Sequence, residues 1–315
     1  MSRLILASAF LVFASISAAG ARADEPVLLR YKETKGQTRY YKNVQEMKQK
    51  QTIANMKLEN SFNQEAIVVR TVEDVSSAGL TTFKVKADRR KVKAEFGPLG
   101  KFEFDSKSSE RDTSSQIGSA MTPILERITG SEFEIVINPQ GQVTEVKGYA
   151  EMIADLVKDN PFGAQFGGGD NNAAKNAEQD AFVILSDKPV KPGDKWETPF
   201  EVPLATLGTV KGKTTCTFEG YDKVGDRKTV RIGVTTDVSI DLKLDQGGMK
   251  VTGTLSSNNS EGTVQFDPEA GCVVSARRGF SLSGQLTVEA GGMIIPVDNQ
   301  QDHVYELTLL EKLPE

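Results

Sequence analysis

The sequence predicts a mainly β protein made of two related, curved antiparallel β-units with a few inserted helices. Three observations predict this class: long segments in which apolar and polar residues alternate, glycine-bearing turns between them, and two short segments with helical spacing. The chain has 315 residues and a formal charge of −5, enough length for a substantial core. The mildly acidic balance argues against nucleic acid or an anionic membrane surface as the main partner.

Residues 1–23 have the pattern of a secretory signal peptide. An apolar run follows Arg3, and Ala21 and Ala23 form a small-residue cleavage site before Asp24. We therefore expect cleavage after Ala23 and an exported protein, either periplasmic or extracellular. Later windows are too short or too polar for a membrane-spanning helix, so we expect no transmembrane segment in the mature chain.

The strand pattern is clearest in residues 233–244 (GVTTDVSIDLKL) and 279–289 (GFSLSGQLTVE). Apolar side chains occupy one parity and polar side chains the other, which is typical of half-buried strands. If these strands curve around a cavity, their apolar face lines it. The residues expected in that lining are Val238, Ile240, Leu242, Phe280, Leu282 and Leu286.

Helical spacing appears near residues 114–129, where Thr122 is a candidate N-cap and Pro123 a first-turn residue, and again near 149–158. Residues 163–180 contain three consecutive glycines and few apolar side chains, so we expect a flexible loop or linker there.

An internal echo predicts the domain organisation. The stretch INPQGQVTEVKG at residues 137–148 is echoed by FDPEAGCVVSARRG at 266–279, each with an Asn/Asp-Pro turn before a short strand. Internal duplication, with helices inserted into the first copy alone, is the favoured explanation of the echo. The alternative is chance, because turn chemistry favours Asn, Asp, Pro and Gly everywhere. The first β-unit then covers residues 24–162 and the second covers 181–315.

Several short motifs carry a resemblance. The turn KPGDKW, the Asn/Asp-Pro hairpins, the strand ends VEDV and YDKV and the signal peptide pattern resemble an uncharacterised family of secreted bacterial proteins, known as a domain of unknown function. This resemblance implies a β-rich exported protein and brings no catalytic residues. A weaker architectural likeness is to half-barrels of the lipoprotein-carrier type, in which a curved antiparallel sheet holds helices around an apolar cavity.

The chemistry-bearing residues are sparse. His303 is the sole histidine, and a Gly-x-Ser-x-Gly nucleophile motif does not occur. One histidine and two separated cysteines cannot supply the usual zinc ligand sets, and the glycine run lacks the Lys-Ser/Thr of a phosphate loop. We therefore expect no catalytic residues, no metal and no cofactor.

The cysteines, Cys216 and Cys272, each share strand parity with apolar neighbours, so both are expected to face the core. Buried free thiols are the favoured interpretation. A disulfide between them is the alternative, and it requires Cα atoms within about 7 Å.

These observations predict an exported, non-catalytic binding or carrier module for an apolar or amphipathic ligand, such as a lipid, held between sheet and helices. The alternative is a structural or protein-interaction module of the cell envelope with a solid core, and a hydrolase is a distant third. A connected apolar cavity of about 300 Å³ or more would favour the carrier. The sequence indicates neither the ligand nor the oligomeric state.

Overall fold

A computed structural model describes residues 25–112, 115–158, 171–203, 208–246 and 248–314. The strands in chain order are β1 (Thr38–Ile53), β2 (Met56–Val75), β3 (Thr81–Phe96), β4 (Lys101–Asp105), β5 (Glu132–Ile137), β6 (Val143–Lys147), β7 (Lys195–Pro203), β8 (Gly208–Val224), β9 (Arg227–Gln246), β10 (Met249–Asp267), β11 (Cys272–Ala290) and β12 (Met293–Leu310). The helices are α1 (Gln116–Ile128), α2 (Tyr149–Lys158) and α3 (Asn171–Gln179), and a 3-10 turn covers Gly97–Leu99. The predicted mainly β class with a few helices is confirmed.

All strands belong to one curved, open antiparallel sheet. The spatial order is β6-β5-β3-β2-β1-β12-β11-β10-β9-β8-β7, and β4 pairs with the free part of β3. The two expected β-units are therefore halves of a single sheet, joined where β1 pairs with β12 from Tyr40↔Leu310 to Ile53↔Val297. With 20 residues, β2 spans roughly 65 Å.

The two faces of the sheet differ, as strand alternation requires. We call the face that carries the helices and the main cavity the inner face. On β9, Val234 points to this face and is buried, while Thr235 and Asp237 point outward and are exposed. The alternation predicted for residues 233–244 therefore sorts these side chains by face.

At one end of the sheet the N-terminal segment, residues 25–33, and residues 181–190 run between the two sheet edges. We call this the closed end, and it holds the largest core cluster. The Leu185 N–H donates to the Gln140 carbonyl at 2.8 Å, and the Trp196 indole donates to the Ile184 carbonyl at 2.7 Å. This segment thus bridges the β5–β6 hairpin to β7.

In both echoed turns the side chain of the first residue accepts hydrogen bonds from backbone N–H groups of the turn. Asn138 Oδ1 accepts from two backbone N–H groups of its turn at 3.1 and 2.9 Å, and Asp267 Oδ1 does the same at 2.9 and 2.8 Å. Gly141 and Gly271 close the turns with φ of 88° and 62°, values that favour glycine. Both turns lie at the closed end.

The N-terminal segment ties these turns together. The Tyr31 N–H donates to the Pro139 carbonyl at 2.9 Å, and the next residue, Lys32, donates to the Gly271 carbonyl at 3.1 Å. The two residues therefore join the two halves of the sheet through backbone hydrogen bonds.

The helix expected near 114–129 is present as α1, but Thr122 is not its N-cap. Ser115 caps the helix by accepting a hydrogen bond from the Gly118 N–H at 2.9 Å. Thr122 lies in mid-helix, where its hydroxyl donates to the Asp112 carbonyl, and Pro123 lies inside the helix. Leu125 packs against the inner face of β3 and β4.

Residues 171–179 form α3, where the sequence indicated part of a flexible loop at 163–180; residues 163–170 lie outside the described residues. Tertiary contacts explain the difference. Ala174 is buried, and the Gln179 side chain accepts from the Val143 N–H at 2.9 Å and donates to the Gly141 carbonyl at 3.0 Å. A polar helix is thus fixed against the β5–β6 hairpin.

In the described part of the chain, no helix has both the length and the apolar character that a membrane crossing requires.

Candidate functional site

A cavity of about 410 Å³ lies between the inner face of strands β7–β12 and the segment formed by α3 and residues 180–184. Its wall is mostly apolar because each strand contributes the side chains of one parity. The apolar residues from β7, β8 and β9 are Phe200, Val202, Val210, Val234, Val238 and Ile240.

Four of the six residues expected to line a cavity do lie in its wall: Val238, Ile240, Phe280 and Leu282. The other two, Leu242 and Leu286, lie further along the same face, away from the closed end. There they pack in a cluster around Leu255 and Val297. The sequence pattern identified the face on which these side chains lie. The position of α3 decides which part of that face lines the cavity.

The end of the cavity nearest the main core is charged. Arg278 and Asp180 both line it, and Arg278 Nη2 donates to the Phe182 carbonyl at 3.4 Å. Withdrawal from bulk water raises the pKa of Asp180, and the neighbouring charge of Arg278 opposes this rise. The buried Nε of Arg278 has no hydrogen-bond partner among the described residues.

Further charges lie behind this wall. Arg70 is 4 % exposed, and its guanidinium stacks 4.5 Å from the Phe182 ring and 4.9 Å from the Tyr41 ring. Burial raises the pKa of Glu178, while the charges of Arg70 and Arg90 oppose the rise. The last turn of α3 thus brings carboxyl groups to arginines of the inner face.

The ring of His303 also lines the cavity and stacks on Phe280. Burial lowers the pKa of His303, and the Asp302 carboxylate opposes this shift. Its Nε2 lies 3.1 Å from Gln301 Oε1 and donates to this oxygen in the tautomer that carries the proton on Nε2. Tyr305, two residues further along β12 and on the same face, has a raised pKa because it is buried. These groups are therefore uncharged at neutral pH.

Both cysteines are free and buried. Cys216 lines the cavity, and burial raises the pKa of its thiol to about 12. Burial also raises the pKa of Cys272 to about 11, and its Sγ accepts from Arg39 at 3.2 Å. The alternative of a disulfide fails because β9 and β10 separate the two strands, a spacing of roughly 14 Å in the sheet.

Sequence reasoning missed the wall of the cavity that lies opposite the sheet. Phe182, Val183 and Ile184 supply it, and Arg278 reaches Phe182 across 96 residues of sequence. A signal was present in the apolar run AFVIL at 181–185, directly after the polar stretch. Such a run indicates a buried segment, but it does not show which face it covers.

The fold and this site define a class of protein: an open, curved β-sheet around an apolar cavity with one charged end. The chain belongs to a family of unknown function (DUF6263), whose sequence profile matches residues 78–273. A comparison with curated proteins finds no match.

Solved structures show distant likenesses. Lipovitellin, in a structure of its lipid–protein interactions, matches with 12% identity and a TM-score of 0.44 over 90% of this chain. This chain spans 26% of that lipovitellin chain. OpdQ of Pseudomonas aeruginosa matches with 7% identity and a TM-score of 0.21 over 87% of this chain and 99% of its own.

An outer membrane channel of Pseudomonas putida F1 (COG4313) matches with 6% identity and a TM-score of 0.19 over 92% of this chain and 100% of its own. At these scores the likenesses say nothing about function.

Proposed function

We propose that the protein is a non-catalytic carrier that holds an apolar or amphipathic ligand in the cavity between α3 and the inner face of β7–β12. The observation that carries this proposal is the cavity of about 410 Å³. Its volume falls in the usual range for small-molecule sites, roughly 300–1,000 Å³. Apolar side chains make most of the wall, so transfer of an apolar chain from water into it is favourable.

The charged end supports an amphipathic ligand rather than a wholly apolar one. Arg278 brings a guanidinium to this end of the cavity, and its Nη2 donates to the Phe182 carbonyl at 3.4 Å. A polar or anionic ligand group beside the guanidinium would gain a charge-assisted hydrogen bond. Asp180 lies beside it, so the site suits a head group that combines acceptor and donor atoms.

The alternative, an envelope module with a solid core, fits the first half of the sheet better than the second. Under α1, Leu125 packs against Val92, Phe102 and Phe104. The second half retains a cavity of about 410 Å³, which is above the roughly 300 Å³ at which small-molecule sites usually begin. The carrier therefore accounts for both halves.

Export and the lack of catalysis belong to the same proposal. The signal peptide pattern of residues 1–23 supports export to the periplasm or beyond. The high pKa of the Cys216 thiol supports a non-catalytic role, because the thiol stays protonated at neutral pH and is a weak nucleophile.

The test is ligand binding by a variant with a blocked cavity. Val238→Trp places an indole into the cavity, and we expect at least about a tenfold loss of affinity for an apolar fluorescent dye. Thr235→Trp is the matched control, since this residue lies on the same strand and points outward. Native mass spectrometry of protein from its own host should show a bound lipid. Equal dye affinity in both variants, or absence of dye binding by the unmodified protein, would refute the carrier.

A further inference from the structure

The end of the sheet opposite the closed end exposes large apolar side chains. Three neighbouring hairpins, β1–β2, β11–β12 and β9–β10, have their tips there, because the sheet order places these strands side by side. Four large apolar side chains are exposed at these tips: Met56 (63%), Met249 (41%), Met293 (63%) and Ile294 (72%). We call them the tip residues.

An apolar strip connects these tips to the cavity. Leu282 belongs both to the cavity wall and to the cluster that contains Leu286 and Val297. That cluster continues to Ile53, which pairs with Met56 across the β1–β2 turn, and to Val288, which pairs with Val251. The strip lies on the inner face, so it runs from the cavity to the open end.

We propose that the open end docks on a lipid bilayer, with the tip residues inserted into its interface, and that ligand passes between membrane and cavity along the strip. The passage of ligand rests on the carrier function proposed above. The docking itself rests on the exposed tips and is tested separately.

The shape of the open end favours a bilayer over a protein partner. The apolar groups stand on three separate turns and protrude, whereas protein interfaces are closely packed continuous surfaces. Three of the four are methionines, whose unbranched, flexible chains adapt to a fluid phase. The ligands proposed above for the cavity are ones that dissolve in bilayers, so an apolar strip that runs from the cavity to the tips would lead such a ligand into a bilayer.

The charges behind the tips fit this geometry. Lys57 and Lys250 directly follow Met56 and Met249 and are exposed, so their ammonium groups can reach head-group phosphates while the methionines insert. Lys250 also lies 3.6 Å from Glu289, so net positive charge near the tips is small. Docking should therefore depend on apolar insertion and need no anionic lipid.

The experiment is flotation with phosphatidylcholine vesicles, with and without phosphatidylglycerol. We expect the protein to float with both. The variant Met56→Gln/Met249→Gln/Met293→Gln/Ile294→Gln should bind at least about tenfold less, because the apolar contribution is removed. The control is Leu80→Gln/Tyr221→Gln, which changes two exposed residues beside closed-end turns and should float like the unmodified protein.

Dye binding in solution separates docking from ligand binding. The tip variant should keep its dye affinity and its unfolding midpoint, while Val238→Trp should lose dye binding and still float. Failure of the unmodified protein to float, equal flotation of the tip variant, or equal loss in the control would overturn the docking proposal. So would a concentration-dependent dimer that the tip changes abolish, because a second copy would then cover the tips.

Discussion

The imidazole of His303 lies stacked on the ring of Phe280, with the centroids 4.6 Å apart and the planes at 8°. Both side chains line the cavity, so the titration of the chain's sole histidine depends on the environment inside the cavity. Because protonation would place a charge in this apolar stack, the neutral ring is favoured and the pKa is lowered.

We predict that His303 titrates below 6.5, the ordinary value. The unfolded chain then binds a proton at a higher pH than the folded chain does. The contribution of the neutral His303 ring to the free energy of unfolding is therefore complete above pH 6.5, and it is lost as the pH falls through the lowered pKa of the folded protein. NMR titration of this single imidazole measures the value directly.

His303→Gln is the control for the stability effect. Without a titrating ring, the variant should show a smaller fall in unfolding free energy as pH drops below 6.5. A titration midpoint at or above 6.5 in the folded protein would contradict the prediction. Binding of an apolar ligand should lower the pKa further, since it displaces water from the ring.

A second prediction concerns the buried ion pair of Arg39 and Glu33, whose charged atoms lie 3.1 Å apart. Their side chains are 9% and 3% exposed. Burial raises the pKa of Glu33, and Arg39 opposes this rise. Arg39→Met should therefore reduce the free energy of unfolding by about 3–5 kcal/mol, because a buried carboxylate loses its partner. Denaturant titration measures the loss.

The matched variant is Glu33→Gln combined with Arg39→Met. It removes both charges of the pair, so we expect it to recover much of the stability lost in the single variant. A loss of less than about 1 kcal/mol in the single variant would contradict the prediction, because only an exposed salt bridge contributes so little.

Gly141 should tolerate alanine poorly. A Cβ there would lie 2.2 Å from the Tyr31 ring and 2.7 Å from the Val183 carbonyl oxygen, and φ is 88°. Gly225 is the control, because its φ is 59° and a Cβ added to it would have nothing within 4 Å. Gly225→Ala should cost about 1–2 kcal/mol from backbone strain. Gly141→Ala should cost about 1–3 kcal/mol more from overpacking, and equal losses of unfolding free energy would be evidence against the close packing.

Leu286 and Ile240 test the boundary between packed core and cavity. Leu286 is buried in the cluster with Leu255 and Val297, so Leu286→Ala should cost about 2–5 kcal/mol of unfolding free energy. Ile240 is half-buried in the cavity wall and already lacks some contacts. Ile240→Ala should therefore cost less. Denaturant titration measures both losses of unfolding free energy. Equal losses for Leu286→Ala and Ile240→Ala would mean that the cavity is filled.

The strands and their faces could be predicted because the signal is local. In residues 233–244 the polarity alternates with the period of two that a strand imposes, so side-chain parity fixes which residues share the inner face. Val238 and Ile240 were identified in this way. The Asn138 and Asp267 turns were also visible, since Asx side chains fold their own backbone.

Other features depend on contacts that local sequence does not encode. α3 has a polar sequence, and it is a helix in this fold because Ala174 and Gln179 dock on the β5–β6 hairpin. Ser115 rather than Thr122 caps α1, and Thr122 instead lies in mid-helix, buried, with its hydroxyl donating to the Asp112 carbonyl. In each case tertiary contacts outweighed a weak local preference.

The sequence by itself determined that the chain forms long antiparallel strands, which side chains share a face, and where the turns fall. The tertiary structure alone decided that β1 pairs with β12 to make one sheet and that Arg278 meets Asp180 at the end of the cavity. The physical reason is range. Backbone periodicity acts between neighbouring residues, whereas sheet closure and the cavity arise from free energies of packing that depend on the whole chain at once.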